Sequence, residues 1–300
     1  MNHRLLRLAI LALTLGSATP LLAQRPVKVF ISVDMEGIGG VVTAEQLSPT
    51  GFEYARFREF MTAEALAAID GARAGGATQF VIADSHGNEQ NLLIERFPAD
   101  VTIIRGSPRP LGMMEGIDSS FAAIFFIGYH AATTNARGVR AHTISSATFA
   151  ALRLNGRASA ESALNASIGG YFGVPVALIS GDADAVAELK EIAPAAEGVV
   201  VKRAISFHSA ATITPEASQA LIRKGARAAM DRLREMKPYV TRSPVALELT
   251  YKNYTPAEMM SYLPGVERVD SHTIRYTGRT ILDVSRFIGF ATGYRSDLTP

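Results

Sequence analysis

Two acidic side chains and two histidines stand out because of the positions they occupy in the sequence. Asp34 and Glu36 lie in the segment Ser32–Gly37, which reads Ser-Val-Asp-Met-Glu-Gly. His86 follows Asp-Ser, and His130 follows Gly-Tyr. Carboxylate oxygens and imidazole nitrogens are ligands of Zn²⁺, with Mn²⁺ and Co²⁺ as possible substitutes. If these side chains meet, they form a metal site, and an enzyme becomes the leading hypothesis.

Each candidate ligand closes a segment that has the composition of a buried strand. The three apolar runs begin at residues 27, 79 and 122 and end near a Gly or Ser turn. Such short apolar runs, bounded by turn residues, are typical of buried strands. In an open α/β sheet, ligands bind outside the carboxyl ends of the strands. We therefore expect the four side chains to converge at one edge of a parallel sheet.

The same residues also have ordinary structural interpretations. Residues two apart in a strand point the same way, so Asp34 and Glu36 would repel each other unless a cation or proton separates them. The alternative is that one of them caps the next helix and the other is solvated. His86 and His130, taken singly, are also compatible with hydrogen-bonded loop histidines. Asp84, two residues before His86, could orient that imidazole or serve only as a turn residue.

The chain alternates between strand-like and helix-like segments up to about residue 200, which predicts a three-layer α/β fold with a mainly parallel sheet between helices. Beyond residue 200 the pattern predicts a smaller C-terminal α+β domain. The predicted domains are therefore residues 24–200, which carry the metal site, and residues 201–300. Besides the apolar run that begins at residue 27, the predicted strands are 79–84, 101–104, 122–128, 149–154, 174–180, 245–251, 266–269 and 273–276. The predicted helices are 53–73, 88–96, 159–171, 214–236 and 280–289.

Residues 1–23 have the layout of a secretory signal peptide. Arg4 and Arg7 precede an apolar stretch at 8–15, and Ala23 is a small residue suited to cleavage. This predicts a periplasmic or secreted protein with no membrane association after cleavage; a retained amphipathic anchor is the alternative. The formal charge of +2 includes those two arginines, so the remaining chain is neutral. Without a basic stripe, nucleic acid is not an expected partner.

The chain has no cysteine, which limits the ways it can be stabilised and can bind metal. Disulfides are common in exported proteins, but this chain must be held together by its core alone. Any metal must likewise be held by oxygen and nitrogen ligands.

Several motifs, in this order, resemble the zinc-dependent D-aminopeptidases of the DppA type, a family associated with dipeptide-transport operons. The resemblance runs from about residue 28 to Leu-Pro-Gly at 263–265. The motifs are Ser-Val-Asp-Met-Glu-Gly at 32–37, Asp-Ser-His at 84–86, Met-Glu-Gly-Ile-Asp at 114–118, Gly-Tyr-His-Ala at 128–131, and His142.

This resemblance implies a site with two zinc ions per subunit. Asp34 corresponds to a ligand that bridges the two ions, and Glu36, His86 and His130 correspond to direct ligands. Glu161, nineteen residues after His142, is the best match to the family's remaining metal-binding glutamate. Glu161 also opens a predicted helix, where a carboxylate favours the N-terminal dipole, so helix stabilisation is its alternative role.

His142 matches the family's catalytic histidine, assigned as nucleophile or as acid/base. From the sequence alone it is equally a loop histidine. General acid–base assistance is the more conservative role, because a metal can already activate water. The segment at Ser206-Phe-His-Ser209 departs from the family pattern, so His208 is either a substrate contact special to this protein or a surface residue, and we expect the surface.

The resemblance implies an aminopeptidase that removes the N-terminal, D-configured residue from short peptides such as D-Ala-D-Ala. It also implies self-association, with a ring-shaped homodecamer as the family's assembly. Two alternatives come from other functional classes. One is a non-catalytic periplasmic component of peptide uptake, and the other is a metal-dependent amidase or esterase of the same fold.

Overall fold

The computed structural model describes residues 26–295, so the predicted signal peptide lies outside the described residues. Two sheets and seven α-helices make up this part of the chain. The strands are β1 (Lys28–Val33), β2 (Gln79–Asp84), β3 (Val101–Ile104), β4 (Ala123–Tyr129), β5 (Phe149–Leu154), β6 (Arg157–Ala158), β7 (Val176–Asp182), β8 (Glu197–Ser206), β9 (Ser209–Thr212), β10 (Val245–Tyr251), β11 (Val266–Arg268) and β12 (Thr273–Gly278). The helices are α1 (Ala44–Leu47), α2 (Tyr54–Ala74), α3 (Glu161–Tyr171), α4 (Ala183–Ile192), α5 (Pro215–Asp231), α6 (Tyr254–Met260) and α7 (Ile281–Gly293).

The first sheet is the mainly parallel sheet that the apolar runs predict. Its strand order is β3-β2-β1-β4-β7-β8-β9, and only the edge strand β9 is antiparallel to its neighbour. Val29 and Ile31 of β1 pack in the core shared with α2 and α5. Phe30 faces the opposite core, to which α3, α4 and α7 contribute. Burial on both faces explains why these strands are continuously apolar, and the predicted α/β fold class is confirmed.

The second sheet is antiparallel, with strand order β11-β12-β10-β5-β6. Its strands β5 and β6 come from residues 149–158, whereas β8 of the first sheet runs through residue 200. The domain boundary at residue 200 stays a prediction. Both sheets contain strands that precede this residue and strands that follow it. Within residues 26–295, no helix is both long and apolar enough to cross a membrane.

One predicted helix is wrong, and a buried carboxylate explains the error. Residues 88–96 contain only a short 3₁₀ turn at Ile94–Arg96 instead of a helix. The backbone amides of Asn91 and Leu92 donate to Asp84 Oδ2 at 2.6 and 2.7 Å. Because these amides are bound to a side chain, they cannot form helical hydrogen bonds.

The predicted helix at 214–236 is too long at its C-terminal end. Helix α5 ends at Asp231, and a separate 3₁₀ turn follows at Leu233–Glu235. The sequence pattern also gave no prediction for α1, α4, α6, β6, β8 or β9.

The segment after β1 lies in direct backbone contact with the end of β4. The amide of Gly37 donates to the carbonyl of Gly128 at 2.6 Å. A Cβ at Gly37 would lie 2.0 Å from the carbonyl oxygen of Tyr129. Gly128 has φ +72°, and a Cβ there would lie 2.2 Å from the carbonyl oxygen of Asp34. Glycine at both positions therefore lets the ends of β1 and β4 approach this closely.

Gly37→Ala is predicted to destabilise the protein, because the new methyl group must displace the end of β4. We expect a loss of about 1–3 kcal/mol in the free energy of unfolding, the range of overpacked sites. Urea unfolding of the metal-free protein measures it. Gly293→Ala is the control, because nothing lies within 4 Å of a Cβ there. Equal stability of the two variants would contradict the close-approach argument.

Candidate metal centre

The residues predicted to bind metal all come to one edge of the first sheet. Asp34 and Glu36 follow β1, His86 follows β2, and His130 follows β4. Glu161 is the first residue of α3. Their exposed fractions lie between 1% for His130 and 9% for His86. Ionisable side chains this deeply buried need partners, so their surroundings determine what the site can do.

The first cluster consists of Asp34, Glu36 and His86. One ligand atom from each lies within 4.8 Å of the other two. His86 Nδ1 is 2.8 Å from Glu36 Oε2 and 3.6 Å from Asp34 Oδ1. These spacings are compatible with three ligands around one cation.

The second cluster consists of His130, His142 and Glu161, again with one ligand atom of each within 4.8 Å of the others. His130 Nε2 is 3.3 Å from Glu161 Oε2, and His142 Nε2 is 3.8 Å from Glu161 Oε1. The rings of His130 and His142 stack with their centroids 4.1 Å apart. His142 thus lies beside the predicted ligands, and its geometry is compatible with either a ligand or a reacting group.

Asp34 lies between the two clusters. Its Oδ1 is 3.6 Å from His86 Nδ1 in the first cluster. Its Oδ2 is 3.4 Å from His130 Nε2 in the second. A carboxylate placed in this way can give one oxygen to each of two cations. The bridging role that the resemblance implies for Asp34 therefore has suitable geometry, and it stays a prediction.

Backbone carbonyls fix the orientation of all three histidines. His86 Nε2 is 3.0 Å from the carbonyl of Leu47, His130 Nδ1 is 3.0 Å from that of Ala131, and His142 Nδ1 is 2.9 Å from that of Arg140. A carbonyl only accepts, so each of these nitrogens carries the hydrogen. The other nitrogen of each ring faces carboxylates of the clusters, as His86 Nδ1 faces Glu36 Oε2 at 2.8 Å, and could bind a metal once it has lost its proton. This pattern is typical of metal-binding histidines.

Buried charge shifts the pKa values of these groups. Burial raises the pKa of Asp34 to about 8, and the negative charge of Glu36 adds to that shift. Burial alone would lower the pKa of His130, but the carboxylates of Glu161 and Asp34 raise it to about 10. Protons on the imidazoles thus balance the carboxylates. A metal needs neutral imidazoles, so its binding would release these protons and replace their charge.

Two buried atoms in the centre have no hydrogen-bond partner among the described residues: Asp34 Oδ2 and His130 Nε2. An unpaired polar atom in the interior is costly unless something binds it. The two atoms lie 3.4 Å from each other, where the two clusters meet. Oxygen and nitrogen donors are the set that Zn²⁺ accepts. The residues present therefore fit the metal that the motifs predict.

Glu161 and His142 are held by a tight turn in the segment between them. The amide of Ile144, which has φ +66°, donates to Glu161 Oε1 at 2.7 Å. The amide of His142 donates to the carbonyl of Ala131 at 3.1 Å. These bonds tie the segment both to the end of β4 and to the start of α3. They fix two side chains nineteen residues apart in one cluster.

Some residues that shape the centre were not found from the sequence. Asp84 does not hydrogen-bond to the imidazole of His86. Its carboxylate instead binds Asn91, whose Nδ2 donates to the carbonyl of His86 at 2.7 Å. Lys202 reaches the loop after Glu36 from β8. Neither Asn91 nor Lys202 lies in a recognisable motif, so no sequence signal could have found them.

His208 is exposed on the β8–β9 hairpin.

Comparison with known proteins agrees with this geometry. The family profile Peptidase_M55, described as D-aminopeptidase, matches residues 27–290. A D-aminopeptidase of Bacillus subtilis (strain 168) is 30% identical over 259 residues, covering 85% of this chain and 93% of that protein.

A solved structure is also similar: the Zn-dependent D-aminopeptidase DppA from Bacillus subtilis, described as a self-compartmentalizing protease. It matches with a TM-score of 0.85 and 29% identity, covering 91% of this chain and 100% of that chain. The family resemblance of the sequence motifs is thereby confirmed. The chain belongs to the Peptidase_M55 family of D-aminopeptidases and is a hydrolase of peptide bonds.

Proposed function

We propose that this protein is a dizinc aminopeptidase that removes an N-terminal D-amino acid from short peptides such as D-Ala-D-Ala. The observation that carries the proposal is the pair of buried clusters with Asp34 between them. The names of the relatives support it, since one is a D-aminopeptidase and the other is described as Zn-dependent. Mn²⁺ or Co²⁺ could replace zinc in a site made of oxygen and nitrogen donors.

In this proposal Asp34, Glu36 and His86 hold one zinc ion, and Asp34, His130 and Glu161 hold the other. When bound, such a metal pair supplies the Lewis acidity that activates a water molecule and polarises the peptide carbonyl. The protein's own contribution is to fix the ligands in place. The carbonyls of Leu47 and Ala131 orient His86 and His130.

His142 acts as the general acid–base in this proposal. Its Nδ1 proton is held by the carbonyl of Arg140, which leaves the lone pair of Nε2 facing the centre. Burial lowers the pKa of His142, which favours its neutral imidazole. A neutral Nε2 can accept the proton of the attacking water and return it to the leaving amine.

The zinc-loaded protein is predicted to hydrolyse D-Ala-D-Ala faster than L-Ala-L-Ala. Chelation should abolish the activity, and added zinc should restore it. The release of free alanine measures the rate of hydrolysis. The same assay on D-alanine amide and on a D-alanine ester shows which class of substrate the enzyme prefers. Faster cleavage of the L,L peptide would overturn the stereochemical proposal. Faster cleavage of the amide or the ester would favour a metal-dependent amidase or esterase of the same fold.

His142→Ala is predicted to lower kcat by about 10²- to 10⁴-fold, the usual contribution of general acid–base catalysis. The zinc content should stay at the wild-type value, because His142 is not a ligand in this proposal. Steady-state kinetics combined with elemental analysis measures both quantities. His208→Ala is the matched control, because that histidine is exposed. Loss of one zinc ion in His142→Ala would identify this residue as a ligand instead.

We further propose that the protein is exported and assembles into a ring-shaped homodecamer. Residues 1–23 carry the pattern of a signal peptide, and the similar solved structure is described as self-compartmentalizing. Native mass spectrometry of the full-length gene product, purified from whole cells and medium of a bacterial host, tests both proposals. We expect a subunit that begins at Gln24 and a particle of ten subunits. A subunit that retains Met1 would contradict export, and a monomer would contradict the ring.

A further inference from the structure

The side chain of Lys202 is buried beneath the first cluster although it belongs to no recognised motif. It extends from β8, is 2% exposed, and ends among backbone carbonyls of the loop that follows β1. Its ammonium donates to the carbonyls of Glu36, Ile38 and Val41, the last two at 3.0 and 2.6 Å. An ammonium group has three hydrogens to donate, and all three are used here.

The loop of residues 36–41 has no regular secondary structure, so side chains bind several of its backbone groups. The amide of Gly39 donates to Glu64 Oε1 at 3.0 Å, and the amide of Gly40 donates to Thr212 Oγ1 at 2.8 Å. The carbonyls on the inner side of the loop converge on Lys202. Only a group with several donors at one point can satisfy three convergent carbonyls.

Negative charge around Lys202 holds its ammonium in this interior position. Burial lowers the pKa of Lys202 to about 8, while the carboxylates of Asp182, Glu64, Glu36 and Asp34 act in the opposite direction. The lysine is therefore an internal cation close to the metal ligands. Replacing it with a neutral side chain would leave the carbonyls of Glu36 and Val41 without this donor, while the carbonyl of Ile38 would keep only the amide of Val41 at 3.1 Å.

We infer that Lys202 is a positioning residue of the first metal cluster: its ammonium holds the loop of residues 36–41 and thereby sets the place of Glu36. The inference rests on the proposed function in that Glu36 is taken to be a metal ligand. Lys202 makes no hydrogen bond to His130, His142 or Glu161. Its effect should therefore be confined to one of the two metal ions.

Lys202→Met tests this inference, because methionine has a similar length but no charge and no donor. We expect one zinc ion to bind about 10- to 100-fold more weakly, the usual effect of losing a group that supports a ligand. The second ion should keep its wild-type affinity. Competition with a chromophoric chelator measures both affinities, and the absorption spectrum of the Co²⁺-loaded protein reports the ligand geometry. Lys224→Met, on the exposed side of α5, is the matched control.

A separate measurement on the metal-free protein tests the loop without any metal. In Lys202→Met, the amides of residues 37–41 should exchange hydrogen at least about 10-fold faster than in the wild type, because the loop has lost its anchor. If the wild type binds fewer than two zinc ions, the dizinc proposal fails, and this exchange rate still decides the role of Lys202. Unchanged exchange in the loop, or unchanged affinity for both ions, would overturn the inference.

Lys202→Ala with an added small amine covers the case in which the methionine variant does not fold. Propylammonium has the atoms that this truncation removes, whereas 1-propanol has the same size without the charge. We expect propylammonium to restore the folded state and the affinity of the weakened site in a concentration-dependent way, and 1-propanol to restore neither. Equal effects of the two compounds would show that the ammonium charge is not what the loop requires.

Discussion

The structure of the metal centre depends on the balance of buried charge. Asp34, Glu36 and Glu161 are each at most 4% exposed and lie around one small volume. Carboxylates this close, removed from water, repel one another strongly unless cations or protons lie between them. Imidazoles supply that compensation here: His130 Nε2 lies 3.4 Å from Asp34 Oδ2, although neither atom makes a hydrogen bond. Divalent cations would replace the imidazole protons in this balance, and this is the physical basis for treating the site as a metal centre.

The fold maintains this costly arrangement by fixing the backbone around it. Gly37 and Gly128 allow the ends of β1 and β4 to approach so closely that their carbonyls and amides bind each other directly. On the other side of the same loop, Lys202 and Glu64 bind the backbone groups that β1 and β4 do not reach. Because the main chain sets the positions of the metal ligands, those positions change little when neighbouring side chains move. Such preorganisation is what a site for water activation requires.

The sequence predicts the part of this arrangement that depends on local pattern. The apolar runs identified β1, β2 and β4, and the carboxyl ends of parallel strands share one edge, so the convergence of Asp34 and His130 could be anticipated. Glu161 and His142 came only from the family resemblance, because spacing along the chain does not show which loop turns back on the sheet. Contacts between distant segments were not predictable: Lys202 is 166 residues from Glu36. The predicted helix at 88–96 fails for a similar reason. The carboxylate of Asp84 accepts hydrogen bonds from backbone amides that would otherwise form the hydrogen bonds of that helix.

Anomalous X-ray scattering from crystals grown with zinc tests the central claim most directly. The account predicts two zinc peaks per subunit at the edge of the first sheet, about 3.5–4 Å apart as in two-metal hydrolases. The carboxylate of Asp34 should lie between them, with Glu36 and His86 at one peak and His130 and Glu161 at the other. A single peak, or two peaks that do not share Asp34, would contradict the dizinc centre.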